Sequence, residues 1–352
     1  MINVLGLALY GQLAASTRYR LGQFVPGLAE HGIDLKIRSL LGDEYLRRRF
    51  GGGAMPWAAM LQAGWARLGD LKDRDHDVAI LHCELFPLMP GWLERQLLGN
   101  RPYVYDFDDA FYLKYRSGRL GKLRPLLGAK FDTVMKDAAA ITAGNRTLVE
   151  YAGARNPATI LLPTVVDTER YCPVPRQRGS MFTVGWIGSP STAQYLSELV
   201  EPLIELGREG RVKLVVIGGR APVIPGIEID EVAWNEDNEV ALINHFDVGV
   251  MPLPNDQWAR GKCAFKLIQC MACGIPVIGS RVGANIDVVD RDCGFLADSA
   301  EEWLGAFRQL RDDRGLAQKM GEASRNRIVQ HYSLQQNLPI LADVIHKAMS
   351  RR

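Results

Sequence analysis

The chain has 352 residues, 47% hydrophobic and 23% charged, with 42 Lys and Arg against 40 Asp and Glu for a formal net charge of +2. This is ordinary globular material, long enough for two cores, and its near balance of charge argues against a dedicated nucleic-acid binder. No apolar run approaches the roughly 18–20 residues that cross a bilayer, and residues 1–12 lack a basic leader and read as a first strand, not a signal peptide.

Short apolar runs alternate with longer amphipathic ones, which predicts parallel sheets covered by helices on both faces. Strands are predicted over 2–8, 35–39, 78–82, 102–105, 138–142 and 158–162 in the first half, and over 182–187, 212–217, 227–230, 247–251 and 276–279 in the second. Residues 172–180, CPVPRQRGS, are the linker candidate. The expected division is a first domain over 1–171 and a second over 172–333, with a last helix over 334–350 packing back on the first. Six cysteines are scattered along the chain; Cys270 and Cys273 form one C-x-x-C inside an apolar helical pattern with no second pair, which favours core packing over zinc or redox work in a reduced, cytoplasmic protein. The dinucleotide fingerprint G-x-G-x-x-G after a strand is absent: Gly6 and Gly11 are wrongly spaced, and Gly218-Gly219 runs into Arg220 and two prolines. A nicotinamide oxidoreductase is disfavoured accordingly.

Ligands of open α/β sheets bind beyond the carboxyl ends of the strands. After the first strand, Ser16, Thr17, Arg18, Tyr19 and Arg20 open a helix; arginines there oppose the dipole, so they either reach water or meet an anion. Glu84 follows 78–82, where His82 reads as a core or rim histidine and not a ligand. Asp106-Phe107-Asp108-Asp109 follow 102–105. Three carboxylates at a strand end suit metal binding, base chemistry or hydrogen bonds to hydroxyls, or else helix caps and salt bridges. Residues 110–131 then carry Lys114, Arg116, Arg119, Lys122, Arg124 and Lys130 with no acid, interleaved with Phe111, Tyr112, Leu113, Leu120, Leu123 and Leu126. Such a stretch over 111–130 fits an anionic membrane surface or a lipid-diphosphate acceptor, the alternative being a solvated face.

In the second half, Gly188-Ser189-Pro190-Ser191-Thr192 lies between a strand and a helix. The glycine permits close backbone approach, and the hydroxyls either cap the helix or donate to a phosphate. In the segment GKCAFKLIQCMACGIPVIGSRVGAN, residues 261–285, the spacing puts Lys262, Lys266, Gln269 and Cys273 on one helical face and Phe265, Ile268, Met271 and Ala272 largely on the other. Gly274 stops the helix and Pro276 opens a strand. Two lysines beside the open N–H groups of a helix N-terminus suit a phosphate. A second glycine loop, Ser280 to Asn285, follows.

These motifs together resemble the retaining group 1 family of nucleotide-sugar glycosyltransferases of the GT-B fold. The resemblance spans essentially the whole chain and is carried by the Gly188 loop, DVGVMPL (247–253), GKCAFKLIQCMACGIPVIGS, Val282-Gly283-Ala284-Asn285 and PTVVDTERY (163–171). It implies an α/β architecture of two facing Rossmann-like domains with an interdomain cleft, the donor on the C-terminal domain and the acceptor on the N-terminal one. By the same resemblance Gly188, Ser189, Ser191, Thr192, Lys262 and Lys266 hold the donor diphosphate, Gly283, Ala284 and Asn285 reach its sugar or phosphate, Gln269 bonds a sugar or ribose hydroxyl, and the base lies near Val232 to Trp234. Acceptor contacts fall to Ser16, Thr17, Arg18, Arg20, Glu84 and Asp106, with Asp108 and Asp109 nearest the attacking hydroxyl. Catalysis is expected to need neither metal nor cofactor, Lys262 and Lys266 stabilising the leaving group. The implied reaction is sugar transfer, with retention, to a glycan or lipid-linked acceptor in cell-surface polysaccharide biosynthesis, by a cytoplasmic protein that the basic stretch could place on the inner face of the membrane. Two departures stand out: the family's pair of glutamates falls on Gly261 and Gln269, and its arginine after Ile187 is missing. The alternative is therefore a nucleotide-sugar-binding protein of the same fold without transfer activity.

Overall fold

The computed structural model describes residues 1–51, 57–73, 75–175 and 179–350; the side chains of Phe50, Trp57 and Arg119 lie outside that description, as do 176–178 of the expected linker. The chain forms two compact units, residues 1–164 with 337–352 and residues 165–336. The division falls at Thr164–Val165, ahead of the expected 171/172 boundary. The reason is local: Val166 N–H donates to the Tyr332 carbonyl at 3.1 Å, Tyr171 Oη lies 2.6 Å from Glu239, and Arg325 donates to the Tyr171 carbonyl. The final helix, Leu334–Met349, starts in the second unit and continues into the first from Asn337.

The first unit is built on a six-stranded parallel sheet in the order β2-β1-β3-β4-β5-β6, formed by β1 (Ile2–Tyr10), β2 (Ile33–Leu41), β3 (Val78–His82), β4 (Tyr103–Phe107), β5 (Ala140–Ala143) and β6 (Thr159–Leu161). The register sets Val4 beside Leu35 on one side and Val78 on the other, and Ile80 beside Val104. Strands β3, β4 and β5 are buried along their whole length, as expected of a sheet covered on both faces. The order reverses between β1 and β3, which is where a doubly wound sheet opens a crevice at its carboxyl edge.

The second unit carries another six-stranded parallel sheet, β12-β11-β10-β7-β8-β9, from β7 (Phe182–Ile187), β8 (Val212–Ile217), β9 (Glu228–Val232), β10 (Val248–Met251), β11 (Val277–Ser280) and β12 (Gly294–Ala297). Its reversal lies between β7 and β10. Strand β12, GFLA, has no counterpart among the predicted strands: four residues opened by a glycine carry too little pattern to be read alone. The core joins Val184 and Trp186 of β7, Leu214 and Val216 of β8 and Val250 of β10 to Leu196, Leu203, Trp303 and Phe307 from the covering helices. Among the described residues, no helix is long and apolar enough to cross a membrane.

Candidate functional site

At the reversal point of the second sheet, β7 delivers Gly188, whose N–H donates to the Ile217 carbonyl of β8 at 3.0 Å. A methyl group at Gly188 would stand 2.6 Å from Lys266 Cε and 2.7 Å from the Trp186 ring, and one at Gly219 would stand 2.9 Å from the same ring. Trp186, 1% exposed, thus forms a floor on which two glycine loops and one lysine rest. The Lys266 ammonium lies over this indole, 5.5 Å from its centroid, a cation–π contact that orients a flexible side chain. The Gly188 loop folds on itself: Ser189 Oγ is 2.9 Å from Ser191 Oγ and 3.5 Å from Thr192 Oγ1, and the Thr192 hydroxyl donates to the Ser189 carbonyl at 3.0 Å. Ser191 is exposed and Thr192 half-buried ahead of a 3₁₀ turn, Ala193–Leu199, which leads into the helix Val200–Glu209.

The helix of the central segment spans Phe265–Ala272, shorter than its apolar pattern suggested. Lys262 is therefore not on that helix but in the turn before it, its Nζ 5.7 Å from the Trp258 ring, while Lys266 occupies the first helical turn. The break between them is Ala264, held at φ 53° in the left-handed region as the helix N-cap. Gly274, at φ 69°, ends the helix as expected. Cys270 and Cys273 are buried, with burial pushing the Cys270 thiol up to about 12 and Cys273 higher still, so both are unreactive core residues.

Gln269, expected to meet a donor hydroxyl, is buried and donates from Nε2 to Tyr171 Oη at 3.0 Å. The Tyr171 hydroxyl in turn donates to Glu239, which also accepts from Trp234 Nε1 at 2.7 Å and from Arg170 at 3.2 Å. One buried carboxylate thus fixes the indole expected beside the base. Asn285 is likewise turned inward, donating to the Ser280 carbonyl at 2.9 Å, so that it ties down the second glycine loop; Gly283 lies against the Arg260 carbonyl, and Ala284 is buried. Trp186 and Glu239 carry no signal in the sequence, and Gly218-Gly219 and Tyr171 appear there without a site role. Only the position of the glycine pair at a strand end signalled it, and the dinucleotide test applied there looked for a different loop.

The carboxyl edge of the first sheet is of another kind. Asp106 accepts from Thr142 Oγ1 at 2.6 Å, from both Nε (3.2 Å) and Nη2 of Arg20, and faces His82 Nδ1 at 2.7 Å. Arg20 Nη1 also donates to the carbonyls of Leu162 and Pro163. Burial pushes the Asp106 carboxyl up, yet the Arg20 charge and the His82 hydrogen bond outweigh it and hold it well below the usual carboxylate range. Glu84 is enclosed by Lys114, Lys130 and the Tyr115 hydroxyl, and Thr17 donates to the Tyr10 carbonyl at 2.9 Å. Arg18 is mostly buried and donates to the Gln12 carbonyl at 2.7 Å. Arg20, Glu84 and Asp106, expected to meet an acceptor, instead make these hydrogen bonds inside the unit. Ser16, Asp108 and Asp109 are the half-buried members of the set. In the basic stretch, Lys114 and Lys130 bind Glu84 and Arg116 binds Asp132 at 2.7 Å, while Lys122 and Arg124 are exposed beside Leu123 and Leu126.

Residues 180–313 match the family model described as glycosyl transferases group 1. The chain is 24% identical over 193 residues to a GDP-mannose-dependent alpha-(1-6)-phosphatidylinositol dimannoside mannosyltransferase of Mycobacterium tuberculosis, covering 49% of this chain and 47% of the relative, so it spans about half the length of that protein. Among solved structures it resembles HepE of Anabaena, determined with UDP and glucose (TM-score 0.69, 14% identity, 98% of this chain and 100% of that one). It also resembles a sucrose-phosphate synthase of Thermosynechococcus elongatus (TM-score 0.67, 14% identity, 100% of both chains). The fold is GT-B, and residues 180–313 are similar to the glycosyl transferases group 1 family.

Proposed function

We propose that the protein transfers a sugar from a nucleotide-diphosphate donor to a hydroxyl of a glycan or lipid-linked acceptor, with retention, in cell-surface polysaccharide biosynthesis. The observation that carries this reading is the cluster on Trp186: a glycine loop, a helix N-terminus and Lys266 meet at the carboxyl edge of the second sheet. Such a cluster suits a diphosphate, because a helix N-terminus and an ammonium beside a glycine loop would stabilise the negative charge that grows as the bond to the sugar breaks. Lys262, in the preceding turn, supplies a second cation. Trp234, fixed by Glu239, would take the base, and the hydroxyls of Ser189, Ser191 and Thr192 would bond phosphate oxygens. Asp108 and Asp109, with Ser16, would meet the acceptor; no metal or other cofactor is assigned to the transfer step itself. Lys122 and Arg124, exposed with Leu123 and Leu126, would rest on anionic lipid at the inner face of the membrane.

The second reading, a nucleotide-sugar-binding protein without transfer, draws on Gln269, whose amide is turned to Tyr171 in a position where the family has a carboxylate. A thermal-shift screen against UDP, GDP, ADP, CMP, TDP, NAD and their sugars, followed by turnover with the hit, tests both. A midpoint rise with one nucleoside diphosphate, lost in Lys262→Ala and Lys266→Ala, supports the donor site. Turnover then separates transfer from binding alone, and a rise with NAD only, or with no nucleotide, overturns both.

A further inference from the structure

The carboxyl end of β3 sits at the reversal point of the first sheet and holds a group that the engaged pairs around it leave unexplained. His82 is 1% exposed, and its Nδ1 faces Asp106 Oδ2 at 2.7 Å. Because Arg20 keeps that carboxylate ionised, Nδ1 is assigned the proton, and Nε2 carries a lone pair. Nε2 is buried and has no hydrogen-bond partner among the described residues, which is costly unless something binds there. It points toward Asp108, whose Oδ1 is 4.0 Å away on a side chain 16% exposed. Cys83 completes the group: one ligand atom from each of His82, Cys83 and Asp108 lies within 4.8 Å of the other two.

The backbone is bent to bring them together. Consecutive strand residues point to opposite faces, so His82 and Cys83 would normally diverge. Cys83 instead adopts φ 66°, a left-handed conformation unusual for a residue with a Cβ, and is held there by its N–H donating to the Asp106 carbonyl at 2.9 Å and its carbonyl accepting from Tyr105 Oη at 2.6 Å.

We propose that His82, Cys83 and Asp108 form a binding site for a divalent transition metal ion of the zinc class. One imidazole nitrogen, one thiolate and one carboxylate are the donor types zinc takes, and three protein ligands leave a fourth position for water or another oxygen ligand. Asp106 then stands behind His82 as the carboxylate that orients a metal-bound imidazole. Metal–ligand bonds of about 2.0–2.3 Å place tetrahedral ligands roughly 3.3–3.7 Å apart, so a closing movement of about 1 Å, supplied by the partly exposed Asp108, completes the site. The thiol proton leaves to solvent as the sulfur–metal bond forms. His82, expected from the sequence as a core or rim histidine, would then also be a ligand through Nε2, and Asp108 would serve the metal in place of the acceptor contact given to it above; the site stands independently of the donor reading, since it lies within the first unit.

The test is titration of the chelator-treated full chain with Co²⁺ under reducing, anaerobic conditions, followed by displacement with Zn²⁺. The expected result is one equivalent bound, with the visible bands of tetrahedral cobalt and a near-ultraviolet thiolate charge-transfer band. Cys83→Ser removes the charge-transfer band, and Asp108→Asn, at a partly exposed position that leaves the fold intact, weakens binding at least 10-fold. Asp106→Asn weakens it about 10–100-fold as the orienting group is lost. Absence of cobalt bands in the unsubstituted protein overturns the proposal. So does a band that survives Cys83→Ser and disappears in Cys172→Ser.

Discussion

The two carboxyl edges of this protein handle their polar residues in opposite ways. In the second unit the loops after β7 and β8 are glycines resting on Trp186, with Lys266 laid across the same indole. In the first, Arg20, Glu84, Asp106 and Lys130 are folded into one another. The first edge ties its charges to one another inside the unit, while the second lays a lysine over an aromatic floor between two glycine loops. A buried ion pair is also asymmetric in its energetics: the intact pair contributes little, while removing one partner leaves an uncompensated charge.

The largest effect that would break this comparison lies in the first unit. Asp106→Ala should destabilise it by about 3–5 kcal/mol, because Arg20 is left buried without its counter-charge. Urea unfolding would check this, and a loss below 1 kcal/mol would mean that water reaches the pair. The same carboxylate sets a pH dependence. Its folded-state pKa is depressed, so its contribution is present above the unfolded value of about 4 and is lost as pH falls through that range toward the lower folded value. Asp106→Asn should flatten this acid limb.

In the second unit, Lys266→Ala should leave stability nearly unchanged and lower turnover about 10²–10³-fold, the range for removal of one pre-aligned group that stabilises developing charge. Trp186→Leu should raise the donor KM while leaving the lysine in place, which separates holding the cation from having it. Smaller still, Lys122→Ala and Arg124→Ala should each weaken sedimentation with anionic liposomes by about 1 kcal/mol, an effect that salt suppresses; no binding by the unsubstituted chain would remove the membrane from the account. The smallest effect is at Ala264. Glycine there relieves about 1–2 kcal/mol of left-handed strain and loses about 0.8 kcal/mol of methyl burial, so a net gain of roughly 0.5 kcal/mol in unfolding free energy is expected.

The central strands β3, β4, β5, β10 and β11 are legible as apolar runs because they are parallel and buried along their whole length, whereas the outer β9, EIDEV, carries a mixed pattern and GFLA at β12 is too short. The Gly188 loop and Lys266 were legible for the same reason, since each follows directly from a strand or helix boundary. The engagement of Arg20 with Asp106 was not, for the two are far apart in sequence and spacing carries no record of such pairings. Gln269 shows the same limit. Its place on the helix with Lys266 follows from the spacing, while Lys262 falls in the preceding turn, and the contact of Gln269 with Tyr171 depends on a residue from a distant loop.

The course of the last helix bears on the order in which the protein can assemble. The second unit is one continuous stretch, residues 165–336, whereas the first includes Val344, Ile345 and Ala348, buried side chains that are translated after the whole of the second unit. On the ribosome the second unit therefore has its full set of contacts before the first does, although its residues are made later than β1 to β6. Residues 1–164 must wait, with an incomplete core, for a helix that follows the whole of residues 165–336.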